Sequence, residues 1–213
     1  MKRKSLMPAL ILVLCLSLCG CFSVPNSPSP RFYTLQPQGE PGKPKQLALV
    51  SKLIIGIGPV EVPEYQNRPQ IVTKDKEGML TFAQFERWGE PLDMGIARLI
   101  MENLTTALPQ ADLQLFPCNF SIPLNYQVLV NIVQLESRLD KDMLLTAQWT
   151  ILDAKTKKMV VTRRFQNRQE INPHTYAGIA LALSREVTLL TDEISDGLSG
   201  IISGTETKDS AVQ

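Results

Sequence analysis

The chain has little of what catalytic sites are usually built from. Its 213 residues include one histidine, His174, and four cysteines, Cys15, Cys19, Cys21 and Cys118. A single imidazole excludes the common multi-histidine metal sites and leaves any hydrolytic triad dependent on His174. No serine sits in a Gly-x-Ser-x-Gly elbow, and Gly56-Ile57-Gly58 lacks the third glycine of a phosphate-cradling loop before it runs into Pro59. Those two glycines read instead as a bulge or bend in a strand. Neither sign of charge prevails, the formal net charge being +1, so nothing resembles the basic stripe of a nucleic-acid binder. Lys155, Lys157 and Lys158 with Arg163-Arg164 form the densest basic stretch and read as a solvated hairpin tip. Asp140 with Asp142, and Asp192 with Glu193 and Asp196, read as solvated acids in a turn and on a helix face. These residues call for no enzyme, metal or cofactor.

Long apolar runs are scarce too, with one exception. Ala9 to Leu18 is an apolar stretch preceded by Lys2, Arg3 and Lys4, with no acid before residue 21. It has the order of a secretory signal and is too short for a membrane span, which needs about 20 residues. Leu18-Cys19-Gly20-Cys21 at its end resembles the lipobox of bacterial lipoproteins. That resemblance implies cleavage between Gly20 and Cys21, diacylglycerol on the Cys21 thiol and acylation of the new amine. An ordinary cleaved signal with chance cysteines is the plainer alternative. One acyl chain holds a protein to a bilayer marginally and two hold it stably. Phe22 stands where lipoproteins kept at the inner membrane of enteric-type bacteria usually carry Asp, so the resemblance implies the periplasmic face of the outer membrane.

Without residues 1–20, 193 residues remain, carrying 19 Lys and Arg against 21 Asp and Glu. That length suits one domain with a substantial core. With Cys21 acylated, Cys118 has no thiol to pair with and reads as a small buried apolar residue, so packing alone must hold the fold.

Residues 21–31 read as a lipidated Pro/Ser tether, reaching roughly 30 Å when extended, before a domain over 32–204 and a polar, disordered tail over 205–213. Strands are expected at Arg31 to Leu35, Ser51 to Val62, Ile71 to Thr73, Leu80 to Phe85 and Leu113 to Phe116. Alternation over Tyr126 to Glu136, Met143 to Asp153 and Met159 to Gln166 predicts an antiparallel meander; Met143, Leu145, Ala147, Trp149 and Ile151 share one face. Asp93 can cap a helix running to Leu108, where Pro109 stops it. Asn172-Pro173 can start a second, whose stripe Tyr176, Ala180, Leu183, Val187, Leu190, Ile194, Leu198, Ile201 needs a sheet to lie on. Gly197 and Gly200 should weaken its last turns. The fold class is therefore α/β (α+β), a mixed and largely antiparallel sheet packed with two main helices.

Three strings carry a more specific resemblance: Phe32-Tyr33-Thr34-Leu35; Val60-Glu61-Val62-Pro63-Glu64-Tyr65 running through Gln66-Asn67 into Arg68-Pro69-Gln70-Ile71-Val72; and Arg87-Trp88-Gly89-Glu90-Pro91-Leu92. In that order they resemble the ABC-type transport auxiliary lipoproteins, the PqiC-like (YmbA-like) family, over essentially all of the chain beyond the signal. Gly89 replaces a common Ala and Asn67 a common Asp. The resemblance implies an anticodon-binding-domain-like sandwich, also found in the TolB amino-terminal domain. It also implies a periplasmic, non-catalytic accessory subunit working with an MCE-domain protein and its multi-span membrane partner in lipid transport between the two membranes. A homo-oligomeric ring is conceivable on the same grounds.

Tyr65, Gln66, Asn67, Arg68 and Trp88 are the candidate partner interface, since aromatic and Arg residues dominate such contacts. The competing reading makes Arg68 a loop brace and Trp88 plain core. A carrier that holds an acyl chain itself is the alternative function and would need an apolar cavity of several hundred Å³. A periplasmic hydrolase would have to work through His174.

Overall fold

The computed structural model describes residues 27–38, 53–117 and 123–209. The signal segment, Cys21 with its cleavage junction, Cys118 and residues 210–213 lie outside the described residues. Eight strands and two helices follow in the order β1 (Arg31–Tyr33), β2 (Ile54–Glu61), β3 (Gln70–Lys74), β4 (Leu80–Trp88), α1 (Leu92–Ala107), β5 (Asp112–Leu115), β6 (Tyr126–Ser137), β7 (Asp142–Asp153), β8 (Met159–Glu170) and α2 (Tyr176–Asp209).

The meander forms as the alternation predicts. β6, β7 and β8 pair antiparallel, with Val130 opposite Trp149 and Trp149 opposite Arg163. Met143, Leu145, Ala147, Trp149 and Ile151 all reach 0% exposure on the face turned to α2. β2 joins β6 in parallel on one side and takes β5 in parallel on the other, giving the order β5-β2-β6-β7-β8. Parallel neighbours need a long crossover, and the chain between β2 and β5 supplies it as β3, β4 and α1. The bulge expected at Gly56 to Gly58 is present: the β2 register shifts between Ile57 and Val60, and Gly58 takes φ +107°, a conformation that suits glycine.

One sheet was expected, and there are two. β1, β4 and β3 form a second, three-stranded sheet in which β1 runs parallel to β4 and β3 antiparallel to it. The pairing Arg31 to Glu86 joins residues 55 apart, a distance over which local pattern carries no information.

Both helix starts also differ from the expectation. α1 begins at Leu92 behind Pro91 with no side-chain cap, and Asp93 lies inside the first turn, where its Oδ1 accepts the Met94 N–H at 2.8 Å. Pro91 has already fixed the entering backbone, and an acid in the first turn favours the helix dipole. α2 starts at Tyr176, capped by Thr175, whose Oγ1 accepts the Gly178 N–H at 3.1 Å. Residues 172–174 form a turn closed by the Thr175 N–H on the Pro173 carbonyl. α2 continues to Asp209, so residues 205–209, expected in a disordered tail, are helical.

The predicted stripe is the buried face of α2. Ala180, Leu183, Val187, Leu190, Ile194 and Leu198 are buried, and Ile202 replaces the half-buried Ile201 at the end. Each such side chain contributes about 1.5–3 kcal/mol by leaving water. Gly197 is a fitting surface and not a weak point: a Cβ there would lie 2.8 Å from the Trp149 ring, whereas one on Gly200 would meet nothing within 4 Å. The same face hides Glu186, at 0% exposure, with Oε1 accepting Asn167 Nδ2 at 3.1 Å and Oε2 unpartnered. Burial pushes its carboxyl up to about 7, against the lowering by Asn167.

Two stability predictions follow from these contacts. Gly197→Ala should destabilise by about 1–3 kcal/mol through overpacking against Trp149, while Gly200→Ala should stabilise by about 0.5–1 kcal/mol; chemical denaturation of both variants measures the contrast. Glu186 binds its proton in the folded state at pH values where the unfolded chain has released it. Its contribution therefore falls as pH rises from the unfolded pKa toward about 7. Glu186→Gln should leave the melting temperature near pH 4 little changed and raise it by several degrees at pH 8, and melting curves across that range check the slope.

Candidate functional site

The three motif strings, far apart in the chain, meet around the end of β4. β1 lies along β4 with Phe32 opposite Arg87 and Tyr33 opposite Trp88, and the Gly89 N–H then donates to the Tyr33 carbonyl at 2.7 Å. Arg31 grips the buried Glu86 with two bonds, from Nε at 2.9 Å and from Nη2 at 2.5 Å, and the Tyr33 hydroxyl donates to the same carboxylate at 3.0 Å. The Arg31 bonds hold the Glu86 carboxyl below its ordinary range against the opposing effect of burial, and Tyr33 adds to them. Burial, then the bond to Glu86, pushes the Tyr33 hydroxyl up.

A second clamp fixes the next turn. Arg98 on α1 donates from Nη2 to Glu90 Oε1 at 2.6 Å and to the Leu35 carbonyl at 2.9 Å, and from Nη1 to Glu102 at 2.8 Å. Glu90 belongs to the Trp-x-Glu-Pro-Leu string and Leu35 to the first string. One guanidinium thus ties two motifs to a helix, in the multidentate geometry that arginine favours.

The candidate interface residues fall into two groups. Pro63 accepts the N–H groups of Gln66 and Asn67 at 2.8 and 3.1 Å, forming a turn. Gln66 points inward, 4% exposed, and its Nε2 donates to the Leu135 carbonyl at 2.8 Å. Trp88 is 6% exposed, and its backbone N–H donates to Pro69 at 2.7 Å. These two are packing residues, so the competing reading of Trp88 as core holds and the candidate interface is left with Tyr65, Asn67 and Arg68. In Trp88 the inward alternation of β4 decides; in Gln66 an unpaired strand carbonyl recruits the amide. Asn67 is exposed, and Tyr65 and Arg68 are half-buried. Burial, then the Glu136 charge, pushes the Tyr65 hydroxyl up.

Two residues of this surface were not foreseen. Phe82, 45% exposed, carries the Arg68 guanidinium 4.3 Å above its ring, and Phe32, 64% exposed, lies in the middle of β1 opposite Arg87. Strict alternation along β4 would put Phe82 on the side of Glu86 and Trp88, but the register shifts between Phe82 and Arg87, so the pattern gave no warning of an outward aromatic. The Arg31 to Glu86 clamp had no such signal, because Arg31 stands at the end of a segment that reads as tether.

His174 is half-exposed, 3.7 Å from Glu170. Among the described residues no three His, Cys, Asp or Glu side chains gather as a metal-binding group, and no helix is long and apolar enough to cross a membrane. A depression of about 370 Å³ beside His174 is open and lined by Thr73, Lys74, Asp75, Thr81, Leu139 and Asp140. It is charged where an acyl chain would need apolar walls.

Comparison with known proteins agrees with this geometry. A family model described as ABC-type transport auxiliary lipoprotein component matches residues 33–195, which hold the second and third strings and all of the first but Phe32. No curated protein matches the chain. Among solved structures, protein XCC0632 from Xanthomonas campestris is similar at 14% identity and a TM-score of 0.63, covering 84% of this chain and 99% of its own. A protein described only as uncharacterized is similar at 16% identity and the same TM-score of 0.63, covering 80% and 99%. These two likenesses concern the fold.

Proposed function

The chain belongs to the ABC-type transport auxiliary lipoprotein family, and from that membership we propose that it is a non-catalytic docking subunit of an MCE-type lipid transport system, anchored through acylated Cys21 to the periplasmic face of the outer membrane. The observation that carries this reading is how the motif strings are fastened by residues within and beside them. Arg31, Glu86, Arg98 and Glu90 bond to one another, and Leu35, Gly89 and Trp88 bond through the backbone. Their polar atoms brace the first strand against the domain. Such an arrangement suits a part that is held at one end and presents a rigid surface at the other.

The anchor and the brace divide the work. Cys21 would supply retention by two or more acyl chains, and residues 22–30 would act as a short leash before Arg31. Confinement to a thin layer raises the effective concentration of the domain toward a tube rising from the inner membrane, so docking contacts need not be individually strong. Exposed Asn67 and Phe82, with half-buried Tyr65 and Arg68 beside them, form the proposed contact with the MCE-domain protein. The mix of Arg and aromatic side chains favours this assignment.

Cys21→Ser should leave the signal uncleaved or release the protein from membranes, and Phe22→Asp should retain it at the inner membrane of an enteric host; membrane fractionation reads both. Sorting of the Phe22→Asp variant to the outer membrane would contradict the localisation. Asn67→Lys should weaken co-purification with the MCE-domain partner while altering stability by less than about 0.5 kcal/mol. Arg68→Glu should weaken it too, at an added stability cost of about 0.5–1 kcal/mol from the lost contact with Phe82. Unchanged recovery of the partner with both variants would remove this surface from consideration.

A further inference from the structure

Strand β8 is the terminal strand of the five-stranded sheet, and among the described residues nothing pairs with its outer side. It is 12 residues long, contains no proline and keeps an unbroken register against β7 from Val161 to Glu170. A long, regular, unprotected edge presents a row of free N–H and C=O groups, which proteins normally blunt or cover. Helix α2 covers the inner face of β8 only, where Asn167 bonds Glu186 and Gln169 bonds the Ala182 carbonyl.

Cations dominate this edge: β8 carries Arg163, Arg164 and Arg168 against one acid, Glu170 at its end. Arg163 and Arg164 are exposed mid-strand, and Lys155, Lys157 and Lys158 are exposed at the adjoining turn. The nearby acid, Asp153, is already held as an acceptor of the Thr156 N–H at 2.7 Å. Arg168 is bridged to Asp142 at 3.1 Å. Because neighbouring residues of a strand point to opposite faces, Arg163 and Arg164 place one guanidinium on each side of the sheet. Arg163 lies toward the Trp149 ring, 5.9 Å from its centroid. A strand added at this edge would meet a cation on both of its faces.

We propose that the free edge of β8 is a docking strip for an acidic extended segment of a partner protein, which adds to the sheet as a sixth strand. Backbone bonds supply the fit and the flanking cations select for acids. A second copy of this chain suits the edge poorly. The other edge strand, β5, has only four residues, and pairing β8 with another β8 about a two-fold axis would crowd the two Arg163-Arg164 pairs together, which like charges resist. A lipid surface offers charge but no matching line of peptide groups. The inference deepens the docking reading by naming the chemistry of the partner, yet it can be tested apart from the anchor.

The test uses the folded chain with residue 21 changed to serine and a fluorescent synthetic peptide of about twelve alternating threonine and glutamate residues, the length of the strand to be matched. A threonine-glutamine peptide is the control. The acidic peptide should bind and the control should not. Arg164→Glu with Lys158→Glu should weaken binding about tenfold, whereas Lys76→Glu on the β3–β4 turn should not. Amide hydrogen exchange should show alternate β8 amides gaining protection on binding. Equal binding of the control peptide, or acidic binding without β8 protection, would overturn the proposal. So would concentration-dependent β8 protection without peptide, which marks self-association, or binding to phosphatidylglycerol vesicles in place of the peptide. Failure here, with the Cys21→Ser and Phe22→Asp variants shifting in fractionation as the anchor requires, would leave the anchored-subunit reading standing and remove only the strand partner.

Discussion

Where α2 crosses β7, the indole of Trp149 fills the space left by the missing side chain of Gly197, and the remainder of the domain is arranged about that close approach. The long helix can lie flat on the meander only if one residue on its buried face is small enough to admit the ring. From that contact the apolar stripe runs in both directions, Leu190 and Val187 on one side and Leu198 and Ile202 on the other, all buried. The described residues contain no cysteine, so this interface and the smaller one under α1 carry the cohesion that disulfides supply in many exported proteins.

Much of this was legible in the sequence, and the parts that were not share a cause. The meander, the α1 face and the α2 stripe are local patterns with periods of two and 3.6 residues, and each appears within a few residues of its expected limits. Gly58 declared a bulge because few other residues tolerate its backbone. The second sheet was invisible because β1 has three residues and finds β4 across a long interval of chain. The helix caps were misplaced by two or three residues because Pro91 and Thr175 outcompeted the more conspicuous Asp93 and Asn172. Gly197 looked like a defect because a sequence shows the propensity of a residue and not what faces it. Glu186 fell on the buried face of an otherwise apolar stripe, where its polarity conflicts with its place, and nothing in the chain announced the Asn167 partner.

The candidate surface was legible as a set of strings and illegible as a geometry. Two of its five residues are packing residues, and the aromatic that completes it, Phe82, lies on an expected strand but in none of the three strings. The family strings therefore record mainly how the amino-terminal strand is fastened. Glu86, just before the third string, and Glu90 within it receive one arginine each, from Arg31 just before the first string and from Arg98 on α1.

The direction of β1 has a mechanical side. It runs parallel to β4, with its amino-terminal end at Glu86 and its exit at Gly89. A pull along the strand axis from upstream of Arg31 would load its hydrogen bonds side by side in shear. Peeling would break them one after another. Under the proposed anchoring, the bidentate grip of Arg31 on Glu86 would stand first in line, ahead of the hydrophobic interior.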